Sequence, residues 1–209
     1  MQNIMDALNW RYAVSAFDPA KTVSDENFRA ILEAGRLAPS SFGIEPWKFI
    51  VVENSELRAK LRAASYDQPK VTDAARIVVI AGRTDVDALA GELVERTSRV
   101  QGVDAASLNG LKNMVVGFIA AKTAEQAAAY AREQTFIALG MMVETAALLG
   151  VDAGPMGGFD QAGVDALLGL KEKNLTACSM IAVGYRGDDP AAARPKVRRA
   201  FDEVVEFVR

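Results

Sequence analysis

The 209-residue chain sets 24 Lys and Arg against 27 Asp and Glu, a formal net charge of −3, and contains no histidine. With Cys178 as its one cysteine it has no Ser-His or Cys-His catalytic pair, none of the common zinc-ligand sets and no internal disulfide. The charge gives no global attraction to nucleic acid or acidic membranes, no apolar run approaches the ~20 residues of a membrane span, and MQNIMDALNWRY lacks a signal peptide's layout.

The expectation is a soluble, cytoplasmic protein without nucleic-acid or membrane partners. Residues 1–209 read most simply as one domain. Roughly 70% of the unfolded surface can be buried at this length, so no structural metal is needed and no metal site is expected. Any chemistry must rest on carboxylates, lysines or a borrowed cofactor.

In chain order, SDENFRAILEAGRLA predicts a helix with Ser24 as N-cap, apolar spacing through Phe28, Ile31, Leu32 and Ala38, and a stop at Pro39. The loop LAPSSFGIEP follows, with two serines, a glycine and two prolines. WKFIVV is short, β-branched and nearly continuous in apolar character, as in a strand covered on both faces. Ser55 to Ala64 returns to helix, and RIVVIAG predicts a second buried strand. Asp85 to Thr123 is the least regular region, helical in parts and interrupted by Gly102, Gly110 and Gly117.

Ala124 to Leu149 predicts a long helix closed by Gly150, a natural left-handed cap. Its apolar residues circle most of the helix, so it either runs through a domain centre or packs on another subunit. Met141 and Met142 read as core filler rather than a binding surface. GPMGGFD, Gly154 to Asp160, is either a tight strand-to-helix turn or bare backbone that can approach a flat ligand. TACSMIAVG predicts a third buried strand and makes Cys178 a core residue rather than a nucleophile. The tail AFDEVVEFVR has helical spacing together with high strand propensity.

Helices outnumber strands without strict alternation, which indicates an α+β fold. No GxGxxG follows a strand and no P-loop motif occurs. Basic residues gather at both ends, Arg11 near one and RPKVRR near the other. They are either solvated or, through Arg11, Lys196 and Arg198, able to clamp a phosphate.

Taken together, RYAVSAFDP, APSSFGIEPWKFIVV, YDQPKVTDAARIVVI, FIALGMMVETAALLGVDAGPMGGFD and RPKVRRAFDEVVEF resemble the oxygen-insensitive, FMN-dependent NAD(P)H nitroreductase family (nitroreductase and dihydropteridine reductase-like) over essentially the whole chain. The resemblance implies a nitroreductase-like fold, with a central, mostly antiparallel sheet flanked by helices. The C-terminal strand would be exchanged with the partner in a homodimer. FMN would lie at the interface, lined by Pro39, Ser40, Ser41 and Gly43 from the partner subunit.

By the same resemblance Arg11, Lys196 and Arg198 hold the phosphate, and Tyr12, Ala13 and Ser15 continue the first cofactor-binding motif. Lys70 reaches the ring or ribityl chain beside Gln68. Met156 leads into Gly157 and Gly158, the turn whose backbone amide faces flavin N5. A basic residue is usual where Ser15 stands, a small polar one where Ala13 stands, glutamine where Glu45 stands, and glutamate in many members where Gly157 stands.

The implied activity is NADH- or NADPH-driven reduction of nitroaromatics or quinones, flat electron-poor acceptors, by ping-pong hydride transfer with no catalytic acid or base. The substrate gate would fall within Met114 to Phe118. The other readings are a non-catalytic flavin carrier or sensor, and a flavin-fold enzyme that dehalogenates or cleaves flavin.

Overall fold

The computed structural model describes residues 4–209, so the first three residues of the expected 1–209 domain lie outside it. A short helix α1 (Ile4–Trp10) leads through residues 11–24 to α2 (Asp25–Arg36). Ser24 caps α2 as expected, its hydroxyl accepting the Asn27 N–H at 3.2 Å. The helix ends at Arg36 with Leu37 as its C-cap, so Ala38 lies outside it. The remaining elements are β1 (Trp47–Val51), α3 (Ser55–Ala63), α4 (Lys70–Asp73), β2 (Arg76–Arg83), α5 (Val86–Gln101), α6 (Asn109–Ala120), α7 (Ala124–Leu148), β3 (Asp152–Met156), α8 (Gln161–Leu168) and β4 (Leu175–Gly184).

The four strands form one sheet in the order β1-β2-β4-β3, every neighbouring pair antiparallel. Apolar side chains alternate between its two covered faces. Ile77, Val79, Ala81, Met180 and Ala182 join Val14, Phe17, Leu61 and Val71 on one side. Val78, Ile80, Ile181 and Val183 meet Ile31, Leu139, Met142 and Ala146 from α2 and α7 on the other. This is why β2 and β4 read as unbroken apolar runs. The β2–β4 register shifts between Ile80 and Ala81, which pair with Ser179 and Ala177, so Cys178 is the extra residue of a bulge.

α7 starts with a reciprocal capping box between Thr123 and Gln126 and ends before Gly150, whose φ is 68°. Met142 is fully buried, and a Cβ on Gly35 would stand 2.1 Å from its Cε. That glycine lets α2 and α7 approach closely, and Met142 is core filler as expected.

Several features differ from expectation. Asp152–Met156 is a strand that its composition conceals, since Asp, Gly and Pro are poor strand formers. β1 is an edge strand, and all five of its residues are partly or fully exposed within the protomer. Residues 85–123 contain two regular helices: Gly102 is the left-handed cap of α5, but Gly110 and Gly117 lie inside α6.

These helices bury Leu89, Leu93, Val115 and Ile119 over Ile44 in a third apolar cluster. The tail makes one 3-10 turn, Phe201–Glu203, and is otherwise irregular, so it forms neither a terminal helix nor a ladder within its own chain. Among the described residues no helix is long and apolar enough to cross a membrane.

Candidate functional site

Arg11 leaves the last turn of α1, its N–H donating to Ala7 O at 2.9 Å. Lys196 returns from the far end of the chain and donates through Nζ to Leu8 O at 2.6 Å and to Arg11 O. A cation there complements the carbonyls at the helix end. Residues 9–13 and 191–198 thus enclose a cleft of about 350 Å3 whose walls include Arg11, Tyr12, Ala13, Lys196 and Arg198.

Burial lowers the Arg11 pKa, and the charge of Arg198 lowers it further. Burial likewise lowers that of Lys196, reinforced by Arg11 and Arg198. No carboxylate is among the groups acting on either. Arg11 Nε is buried without a hydrogen-bond partner. Such a cluster is costly until an anion enters.

A larger neighbouring cleft of about 490 Å3 runs along Trp10, Asp152 and Arg186. Its arginine is already neutralised. Arg186 donates to Asp152 through Nε at 2.9 Å and Nη2 at 2.5 Å, and its guanidinium lies 4.4 Å from the Trp10 ring and 4.7 Å from the Tyr12 ring. The smaller cleft is therefore the one suited to an anion.

Asp189 ties the two ends of the chain together. Its Oδ2 accepts from Ser15 N–H (3.2 Å), the Ser15 hydroxyl (3.4 Å) and Ala16 N–H (3.4 Å), while Oδ1 accepts from Ala191 N–H at 2.9 Å. Burial alone would raise the Asp189 carboxyl, but the N–H groups of Ala191, Ser15 and Ala16 hold it below the ordinary aspartate value. Burial and then the Asp189 charge push the Tyr12 hydroxyl up to about 12. Ser15 turns toward Asp189 and does not line the cleft. Neither Asp189 nor Arg186 carried a signal in the sequence, because their partners are 174 and 34 residues away.

The glycine turn is the second part of the site. Met156 ends β3 in the core, and a Cβ on Gly157 or Gly158 would meet no atom within 4 Å, so this backbone has an open side. Gln68 Nε2 donates to Gly158 O at 2.8 Å and to Ser65 O at 2.9 Å, pinning the turn. Lys70 lies in the same neighbourhood, its Cδ 3.5 Å from where a Gly154 Cβ would stand. Its pKa is lowered by burial, with no carboxylate among the groups acting on it. A side chain on Gly154 would also come within 2.5 Å of Val14 O, so this glycine lets the segment after Arg11 lie against β3.

The loop over Pro39, Ser40, Ser41 and Gly43 is the third part, and its hydrogen bonds go elsewhere. Ser40 Oγ accepts from Glu45 N–H, and Ser41 N–H donates to Gln134 Oε1 on α7, both at 2.9 Å. Arg96 on α5 donates to Gly43 O at 2.8 Å. The structure therefore gathers Arg11, Tyr12, Ala13, Lys196 and Arg198 into one group and Gln68, Lys70, Met156, Gly157 and Gly158 into another. It anchors the loop separately on α5 and α7.

Cys178 sits beside a small cavity of about 110 Å3 near Gly157, and burial pushes its thiol up, against a nucleophilic role. Among the described residues no cluster of acids and cysteine could hold a metal ion.

An antiparallel four-stranded sheet with helices on both faces, closed by a long central helix, makes this an α+β protein of nitroreductase-like fold. Residues 8–185 match the Nitroreductase family model, and the chain belongs to that family. A Staphylococcus aureus protein (strain bovine RF122 / ET3-1), provisionally named an NAD(P)H nitroreductase, is 37% identical over 216 residues, covering 99% of this chain and 96% of its own. A Staphylococcus epidermidis structure, provisionally an NAD(P)H:FMN oxidoreductase, superposes with a TM-score of 0.88 at 22% identity, covering 100% of this chain and 97% of that one. A provisionally named nitroreductase from Exiguobacterium sibiricum, solved in complex with FMN, gives 0.85 at 20% identity, with 100% and 98% covered.

Proposed function

We propose that the chain is a homodimeric, FMN-dependent oxidoreductase that passes electrons from NADH or NADPH to nitroaromatics or quinones. The observation that carries this reading is the cluster of Arg11, Arg194, Lys196 and Arg198 around one cleft, with Arg11 Nε buried and unsatisfied. A phosphate monoester supplies the missing charge and acceptors. The open glycine turn beside Gln68 and Lys70 suits the edge of a planar ring. The names of the S. epidermidis and E. sibiricum proteins support FMN as that ligand.

When bound, FMN supplies the hydride-accepting and hydride-donating chemistry. The protein's part is binding, orientation and exclusion. Arg11, Lys196 and Arg198 hold the phosphate, and Lys70 presents a positive charge where burial has stripped its water. Gly157 and Gly158 let backbone reach the ring edge. Reductant and acceptor would take turns at the bound cofactor, a ping-pong order that needs no histidine from this chain.

Pro39, Ser40, Ser41 and Gly43 come from the second subunit in this reading. It is supported by their anchorage away from the cleft and by the exposed Phe136 and Ile137 on α7 and Ile4 and Leu8 on α1. The tail, with Phe207 71% and Val208 91% exposed, pairs along the β1 edge of the partner. Residues 1–209 form one such domain, in the cytoplasm.

The test is the absorbance of purified protein before and after anaerobic NADH addition. We expect a yellow protein that bleaches and that releases FMN on denaturation. Colourless protein that takes up no added FMN refutes the reading. A flavin carrier or sensor is the second reading, favoured by Ser15, which stands where the family usually has a basic residue near the pyrimidine edge and here bonds Asp189 instead. Turnover of NADH with a quinone, giving parallel initial-rate lines, excludes it.

A further inference from the structure

We infer that Arg96 is a positioning residue for the loop from Ser40 to Glu45, with Glu45 as its charge partner. The inference rests on the flavin reading above. The loop holds Phe42 at φ 58°, Gly43 at 70° and Glu45 at 49°. Two of these three are not glycine, so side chains sit in the left-handed region that they ordinarily avoid. Such a loop persists only when contacts from outside over-determine it. On one side Gly43 is open, a Cβ there meeting nothing within 4 Å. Arg96 provides support: one Nη2 donates to Gly43 O at 2.8 Å and lies 3.7 Å from Glu45 Oε1.

Arg96 is itself mounted on a fixed element. α5 is tied to the end of β2, where Arg83 donates to Glu92 at 2.8 and 3.1 Å and to Asp85 at 2.6 and 2.8 Å. Glu92 and Arg96 are four residues apart and share one face of α5. α5 thus joins sheet and loop, Arg83 at the end of β2 holding Glu92 and Arg96 one turn on holding Gly43 and Glu45.

The apolar side agrees, because Phe42 meets Phe118 of α6 edge-on at 5.1 Å and Phe118 meets Tyr130 of α7 at 5.2 Å. The acid at position 45 is matched by this arginine rather than facing the interface as a free anion. What Arg96 holds is the backbone at Gly43, in the loop whose Ser41 is held by Gln134, so its influence falls on the loop's side of the ligand and not on the phosphate.

The experiment uses the full-length protein stripped of flavin, with Arg96→Met, Arg96→Lys and Glu45→Gln. Affinity is measured separately for FMN and for riboflavin, and melting temperature without flavin. Arg96→Met should weaken both ligands by the same factor, about tenfold, leaving the FMN-to-riboflavin ratio unchanged. Arg96→Lys should recover part of the loss. Glu45→Gln, which keeps the Gly43 bond, should lose less than Arg96→Met and serves if Arg96→Met does not fold.

A merely structural role would lower the melting temperature and leave the affinity of the folded protein alone. The inference is overturned if wild type binds both flavins and the folded variants bind them equally well, or if only FMN binding falls. A wild type that binds neither flavin overturns the flavin reading instead.

Discussion

The basic cleft and the Ser40–Glu45 loop are both built from distant parts of the chain, but they are completed differently. The loop is satisfied by the protein around it: Gln134 of α7, Arg96 of α5 and its own Ser40 each supply the partner that a loop atom needs. The cleft is left in deficit, with Arg11, Arg194, Lys196 and Arg198 on its walls, a buried Arg11 Nε lacking a partner, and no carboxylate among its lining residues or among the groups acting on Arg11 and Lys196. A loop so supported can hold its shape before a ligand arrives, whereas an unbalanced cleft trades stability for affinity. The two regions should respond oppositely to the ligand's charge.

The largest effect should come from removing the tail. Deleting Phe201 to Arg209 takes away Phe201, Val204, Phe207 and Val208, all strongly exposed within the protomer. In the dimeric reading the truncated protein becomes monomeric and loses FMN affinity, and added FMN partly restores the melting temperature by mass action. Sedimentation and thermal melts check this. A truncated dimer with its flavin and melting temperature intact would leave the tail no role in the cleft.

Next in size is Arg198→Ala, which tests the charge deficit directly. Removing one charge-assisted hydrogen bond to the phosphate should weaken FMN about ten- to hundredfold and leave riboflavin unaffected. This is the mirror image of the Arg96 variants, and titration of both flavins against both sets of variants shows whether the regions divide the ligand as described.

The smallest effect concerns pH. Lys196 titrates below its ordinary value in the folded protein, first because of burial and then because of Arg11 and Arg198. The unfolded chain therefore binds the proton more tightly, and stability of the flavin-free protein should rise with pH between the lowered value and the ordinary lysine value. Outside that window this group contributes no slope. Bound FMN, by favouring the protonated lysine, should flatten or reverse the rise. Melting curves between mildly and strongly alkaline pH, with and without FMN, read it out.

How much of this was legible in the sequence follows from the range of the interactions. β2 and β4 announce themselves, because both faces of Val78–Ile80 and Met180–Val183 are buried locally by type. Burial of each such Val or Ile contributes roughly 1.5–3 kcal/mol, enough to override weaker signals nearby. The Ser24 cap and the Gly150 terminus are also local. β3 was hidden, since its Asp152 is there to pair with Arg186 and its Gly154 to admit Val14, both tertiary reasons.

Residues 85–123 looked broken because Gly102, Gly110 and Gly117 suggest interruption, whereas Gly102 caps α5 and the other two lie inside α6; Leu89 and Leu93 of α5 and Val115 and Ile119 of α6 share one apolar cluster with Ile44. The family motifs named candidate residues, and the structure brings most of those candidates into two groups. The supports, Arg96, Asp189 and Arg186, match no motif and became visible only through their partners in space.

The bond from Lys196 to Arg11 spans 185 residues. Lys196 and Arg198 follow every strand of the sheet in the chain. During synthesis, then, the sheet and both of its apolar faces can assemble while the anion cleft still lacks a wall. In the flavin reading, loading with cofactor waits until Lys196 and Arg198 have been made. A nascent or prematurely ended chain would carry the glycine turn and the clamped loop yet have no grip on phosphate. In that reading the meeting of Arg11 with Lys196 makes cofactor binding depend on the fold having joined residues 185 apart.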